Sequence, residues 1–205
     1  MIRPIICKFS AILMLLPVLT PERAQAFNDP NWPCAQRKVL QLSIGQVWSG
    51  PLPADGADWR ADPKIAALAP ILAARRTSME EAESRISDFA TGQGADLPLL
   101  FAGVFDLIER DRRRLIGGIE RYAAQQRGLA EQIDVAQAAL VEAKSATAED
   151  DFDALDALEE REDKLLWDIR IYQDRNKSLT YVCESPVIIE KRAFALGRMI
   201  LDAME

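Results

Sequence analysis

Apolar residues recur through the middle of the chain at gaps that alternate between three and four residues. After an opening step of four, the alternation continues without a slip through one run after Pro98. That run is Phe101, Phe105, Ile108, Arg112, Leu115, Ile119, Tyr122, Gln126, Leu129, Ile133, Ala136, Leu140 and Ala143. This heptad spacing is typical of a helix that packs along one seam against another helix. Arg112 and Gln126 are its only polar members.

A second run with the same spacing follows a polar loop at residues 145–150. Its members are Leu155, Leu158, Glu162, Leu165, Ile169, Tyr172, Asn176, Leu179 and Cys183. Two matched heptad runs joined by a short loop predict an antiparallel helical hairpin, with arms at about 98–145 and 150–184. At 1.5 Å per residue, the arm from Arg112 to the turn is about 50 Å long.

The predicted turn at residues 147–148 fixes which seam residues face each other. Tyr122 is expected opposite Tyr172, and Arg112 beside Cys183. Polar residues in a seam favour one register at some expense of stability. We expect that role for Glu162, Gln126 and Asn176.

Shorter helices are predicted on both sides of the hairpin. Asp62-Pro63 is a helix start, and so is Ser78 with a glutamate three residues later, which predicts helices at 62–76 and 78–91. Ser185-Pro186 predicts the end of the second arm and a last helix at about 186–204. The predicted fold is all-α: a long, coiled-coil-like hairpin packed at its base with two or three shorter helices in a domain spanning 62–205.

Residues 27–61 form an irregular N-terminal arm in this prediction, because prolines and glycines are frequent there. A brief strand or turn is expected within 41–48. Trp32, Trp48 and Trp59 lie in the arm, and their rings need a surface to cover them. We expect that surface to be the protein's own helices; the alternative is an exposed ligand platform.

Residues 1–26 have the features of a secretory signal peptide. Arg3 and Lys8 precede a short apolar block at 9–19, and Ala24-Gln25-Ala26 fits signal peptidase. The block is shorter than the roughly 20 residues of a membrane span. We expect cleavage between Ala26 and Phe27, a periplasmic or secreted location, and no membrane-spanning segment afterwards. An uncleaved N-terminal anchor is the alternative.

Cysteine usage agrees with export. Cys7 would leave with the signal, so that Cys34 and Cys183 remain. An even pair in an oxidising compartment predicts one disulfide bond; two free thiols are the alternative. The residues before Cys34 do not resemble a lipid-attachment site, and two cysteines without histidine are too few for structural zinc.

The exported chain is acidic and contains no histidine. Without residues 1–26, 22 Lys and Arg face 31 Asp and Glu, a net charge of −9. This charge argues against nucleic-acid binding, which relies on a basic surface. The lack of histidine removes the usual general base and the commonest transition-metal ligand. With no phosphate loop or dinucleotide motif either, we expect no catalytic residues, cofactor or bound metal.

Acidic side chains are concentrated at the far end of the hairpin, in residues 149–163, which we call the acidic tip. It carries a net charge of −8 through Glu149, Asp150, Asp151, Asp153, Asp156, Glu159, Glu160, Glu162 and Asp163, against Arg161 alone. Carboxylates suit the N-terminus of a helix, so a solvated helix start explains them. The functional interpretation is a surface that binds a protein partner with a basic surface. A calcium loop is a weaker alternative, because Asp156 occupies the position that requires glycine.

Three function hypotheses follow. The first is an exported, non-enzymatic adaptor or spacer that presents the hairpin and its tip to an envelope or secreted partner. The second is a periplasmic holdase-type chaperone, for which Phe152, Leu166 and Trp167 are the candidate exposed apolar residues. The third is an enzyme or a carboxylate metal-binding module. The chain is expected to be a monomer, or a homodimer through the hairpin.

Overall fold

The computed structural model describes Asp29 and residues 31–205, and these residues are all-α without a strand. The helices are α1 (Ile44–Val47), α2 (Pro63–Ala73), α3 (Met79–Ala90), α4 (Leu97–Ala146) and α5 (Phe152–Asp202). The predicted signal peptide and its cleavage site lie outside the described residues. Among the residues that are described, no helix is long and apolar enough to cross a membrane.

The long hairpin is confirmed as α4 packed against α5. Asp96 caps α4 by accepting a hydrogen bond from the Leu99 amide at 2.9 Å. Every predicted seam residue of α4 is buried or half-buried. In α5 the same holds except for Leu155 and Asn176, which are exposed. The heptad spacing therefore identified the packed faces, but Asn176 is not a buried polar residue of the seam.

The register differs slightly from the prediction. The Tyr122 hydroxyl donates to the Arg175 carbonyl at 2.9 Å, and Gln126 Nε2 donates to the Tyr172 carbonyl at 3.2 Å. Tyr122 thus reaches a carbonyl about one turn nearer the base than Tyr172. Arg112 contacts Glu190, about two turns beyond Cys183.

The predicted break at Ser185-Pro186 is wrong, because α5 continues through Pro186 to Asp202 as one helix of 51 residues. A proline inside a helix removes one backbone hydrogen bond and usually bends the helix, at about 3 kcal/mol. Here Pro186 is itself buried, between Cys183 and Ile189, which are buried as well. Packing on both sides of the proline keeps the helix continuous, and this outweighs the local signal.

The two short helices begin where the sequence predicts. Asp62 caps α2 by accepting from the Lys64 and Ile65 amides at 2.8 and 3.1 Å. Ser78 caps α3 by accepting from the Glu81 amide at 3.1 Å. α2 ends at Ala73 rather than at residue 76, so it continues only three residues beyond its internal proline.

A hydrophobic core at the base of the hairpin covers Trp48 and Trp59, two of the three tryptophans of the arm, as expected. Trp48 is buried and stacks on Phe101 with ring centroids 4.4 Å apart. Trp59 is half-buried against Gly103 of α4, where even an added Cβ would come within 3.0 Å of the ring. The segment predicted as a brief strand or turn contains the single helical turn α1. These two side chains therefore belong to the protein's own packing and are not a ligand platform.

Candidate functional site

The N-terminal arm is fastened to the hairpin by the predicted disulfide. Cys34 and Cys183 are bonded, with their Cα atoms 5.5 Å apart. Further out along α4, Arg127 donates to the Asn31 side chain at 2.6 Å. Cys34 is therefore a structural fastener that joins the arm to α5.

Lys38 adds a second polar attachment. Its ammonium group contacts Asp29 Oδ2 at 2.6 Å and also pairs with Glu120 of α4. The hydrogen bonds to Asp29 and Glu120 raise the pKa of Lys38, and the hydrogen bond from Lys38 lowers the pKa of Asp29. Because all three groups are accessible to solvent, such contacts contribute modestly to stability.

A buried ionic cluster of Glu109, Arg112 and Glu190 lies where the arm crosses the base of the hairpin. Arg112 is only 2% exposed, and its Nε donates to Glu190 Oε1 at 2.6 Å. Its Nη2 donates to the Val39 carbonyl at 2.6 Å. Glu109, 4% exposed, accepts from the Leu42 amide at 3.2 Å. The cluster thus binds the arm backbone at two points.

Burial governs the acid–base behaviour of this cluster. Desolvation raises the pKa of Glu109, while the hydrogen bond from Leu42 and the charges of Arg112 and Arg113 act in the opposite direction. Sequence reasoning placed Arg112 in the seam but missed both carboxylates. Two signals were available: a charged residue at a heptad position, since a buried arginine requires an acidic partner, and the three-residue spacing of Glu109 and Arg112 on one helix.

The acidic tip lies at the turn of the hairpin, as predicted. Asp151 caps α5 by accepting from the Ala154 amide at 3.1 Å, and Asp153 lies in the first turn. Eight of the nine carboxylate residues are exposed and Glu162 is half-buried. Within the described part of the chain, Glu162 is the only one of the nine in an ion pair, with Lys144 across the hairpin. The tip therefore presents a high density of uncompensated negative charge.

Large apolar side chains are exposed on the outer half of the hairpin. Phe152 is 75% exposed at the tip, and Leu166 and Trp167 are 64% and 61% exposed on α5. Val135 and Val141 are exposed on α4. Aromatic side chains such as these are enriched at protein-binding surfaces.

A cleft of about 680 Å³ lies at the other end of the molecule, between the C-terminal end of α2 and the facing sides of α4 and α5. We call it the base cleft. Its apolar lining includes Leu107, Ile108, Leu115 and Ile189, and the charged residues around it are Arg75, Arg76, Arg114, Arg192 and Asp111. The cleft was not predicted from the sequence. It depends on three elements that meet only in the fold.

One arginine of the base cleft has a structural role. Arg192 donates to the Leu72 carbonyl through Nε at 2.9 Å and Nη2 at 2.7 Å, which satisfies the last turn of α2. Desolvation lowers the pKa of Arg192. Arg75 and Arg76 are exposed, and within the described residues neither forms an ion pair. Their charges are available to a ligand.

Among the described residues, no group of three or more Asp, Glu, Cys or His side chains is arranged to hold a metal ion. Comparison with known proteins finds no family model, curated protein or solved structure that is significantly similar to this chain.

Proposed function

We propose that this chain is an exported, non-enzymatic interaction protein that acts as an adaptor or spacer. Its rigid hairpin presents the acidic tip to an envelope or secreted protein with a basic surface. The observation that carries the proposal is the projection of the charged tip well beyond the body of the protein. The disulfide supports export, because such bonds persist in oxidising compartments.

The outer part of the hairpin extends past everything that supports its base. Among the described residues, the core of the body includes none of α4 beyond Leu115, and the outermost hydrogen bond between the arm and α4 is that of Arg127 with Asn31. From Arg127 to the turn at Thr147, helical rise gives about 30 Å. A projection of that length with a packed seam suits the presentation of its end to another molecule.

The chemistry of the tip favours binding by charge. Its carboxylates are exposed, and a concentrated negative field raises the rate of encounter with a basic surface. The attraction weakens as salt rises, because the Debye length falls from about 10 Å at 0.1 M to about 3 Å at 1 M. The lack of histidine removes the usual general base, in keeping with a role without catalysis.

Affinity capture from the native envelope with a charge-reversed tip tests the proposal. The variant Asp153→Lys with Asp156→Lys changes two exposed carboxylates and leaves the capping Asp151 in place. The matched control is Glu83→Lys with Asp88→Lys on α3, which changes the net charge by the same amount. Partners recovered by the wild type and the control are expected to be lost with the tip variant. Equal recovery by all three proteins would remove the tip from the account.

A holdase-type chaperone is the second candidate, favoured by the exposed Phe152, Leu166 and Trp167. In that case the apolar side chains bind clients, and the charge of the tip keeps the complexes soluble. The test is the aggregation of a model unfolded client at an equimolar ratio. Suppression that is lost when all three residues are replaced by serine supports the chaperone function. Failure of the wild-type protein to suppress aggregation contradicts it.

A further inference from the structure

The base cleft has the properties of a docking site for an acidic, partly apolar segment. Its volume lies within the range of about 300–1,000 Å³ typical of ligand pockets. Four arginines and one aspartate line it, a positive surplus in a chain of net charge −7. Arg192 is bonded to the Leu72 carbonyl and Arg114 is paired with Asp111, which leaves Arg75 and Arg76 to bind an anionic group.

The acidic tip of the same chain has the complementary chemistry. Phe152 projects into solvent at the first helical residue of α5, and carboxylates precede and follow it. A phenylalanine inserted against Leu107, Leu115 and Ile189 would bury apolar surface on both sides. The flanking carboxylates would then face the exposed arginines at the rim.

The tip cannot reach the cleft of its own molecule. Arg114 at the cleft and Ala146 at the end of α4 are 32 residues apart on one continuous helix, which is about 48 Å. A complementary tip and cleft held rigidly at opposite ends can meet only between molecules. A head-to-tail contact of this kind leaves one free tip and one free cleft, so it extends into a chain unless it closes into a ring.

We propose that the base cleft binds the acidic tip of a second copy of this protein, with Phe152 in the apolar part and Asp153 and Asp156 opposite Arg75 and Arg76. The proposal rests on the proposed function in one respect, since both treat the tip as a binding element. It adds the identity of one partner and the surface that receives the tip.

Sedimentation velocity over a range of protein concentrations tests the proposal. The tip variant is Asp153→Lys with Asp156→Lys, and the cleft variant is Arg75→Glu with Arg76→Glu. All four residues are exposed and away from the core, so both variants are expected to fold. Arg192 is left unchanged because it supports α2. Glu83→Lys with Asp88→Lys serves again as the control for charge.

The wild type and the control are expected to self-associate with rising concentration and to dissociate as salt is raised. Each variant alone should remain monomeric. An equimolar mixture of the two should associate again, because the intact cleft of one accepts the intact tip of the other, and the reversed charges of the altered tip and the altered cleft are also opposite in sign.

Three results would overturn the inference: a wild type that stays monomeric at low salt, self-association that either variant retains, and a mixture that stays monomeric. None of these contradicts the proposed function by itself, because the cleft variant keeps an intact tip. If the cleft variant still captures an envelope partner that the tip variant loses, the adaptor function stands and only the self-association is wrong.

Discussion

Replacing Arg112 by methionine tests whether the buried ionic cluster holds the arm to the hairpin. Arg112→Met removes the charge-assisted hydrogen bond to Glu190 and the hydrogen bond to the Val39 carbonyl. It also leaves Glu109, almost fully buried, without a neutralising charge at 3.7 Å. Breaking a buried pair by removing one partner costs about 3–5 kcal/mol. We expect a loss of that size in the free energy of unfolding at pH 7.

Urea denaturation followed by circular dichroism measures the loss, and two further variants identify its source. Arg113→Met, at the exposed neighbouring position, is expected to change stability by no more than about 0.5 kcal/mol. Adding Glu109→Gln to Arg112→Met should restore about 1–3 kcal/mol, because it removes the uncompensated charge while its amide oxygen can still accept from Leu42. A cost below about 1 kcal/mol for Arg112→Met, or no rescue by Glu109→Gln, would refute the reasoning.

The difference in stability between Arg112→Met and the wild type is expected to depend on pH. Since burial raises the pKa of Glu109 above its ordinary 4.5, the folded state holds this proton more tightly than the unfolded state. The contribution of Glu109 to stability therefore falls as pH rises from about 4.5 through the raised pKa. The charge of Arg112 lowers the pKa of Glu109 and so opposes the effect of burial. Without Arg112, the difference in stability between the variant and the wild type should therefore widen as pH increases. A gap that narrows with increasing pH would contradict this assignment.

Two further predictions concern the fastening of the body. Reducing the Cys34–Cys183 bond should lower the free energy of unfolding by about 4–5 kcal/mol on the chain-entropy model. The arm should then become accessible to trypsin, while the helical circular dichroism signal at 222 nm is retained. Two reactive thiols in the native protein would contradict the bond. Arg192→Met leaves the buried Leu72 carbonyl without its two donors and should lower the free energy of unfolding, measured by urea denaturation, by about 1–3 kcal/mol. Lys191→Met, at an exposed position, is the control and should have little effect.

The features predictable from the sequence are those that depend on a regular period or on counting. The seam of the hairpin follows from its spacing of three and four residues, and the disulfide from the even number of exported cysteines. Helix starts at Asp62 and Ser78 were predictable because a cap depends on a few adjacent residues.

The errors arose where distant packing outweighs a local preference. Pro186 is a strong local signal for the end of a helix. The helix nevertheless continues, because Pro186 is buried together with its α5 neighbours Cys183 and Ile189. Two partners of Arg112, Val39 and Glu190, come from the arm and from the C-terminal part of α5, so no local pattern indicates them. The base cleft likewise needs α2, α4 and α5 in place.

The central claim is that a rigid hairpin holds the acidic tip about 50 Å from the base, and a distance between two spin labels on α4 tests it most directly. Arg113 and Ser145 are exposed, 32 residues apart, and can be replaced by labelled cysteines in a protein with Cys7→Ser and the native disulfide intact. Double electron–electron resonance should give one narrow distribution of distances between the labels, centred near 48 Å, the length of a straight helix of that span. A broad distribution, or one centred well below that distance, would contradict the account.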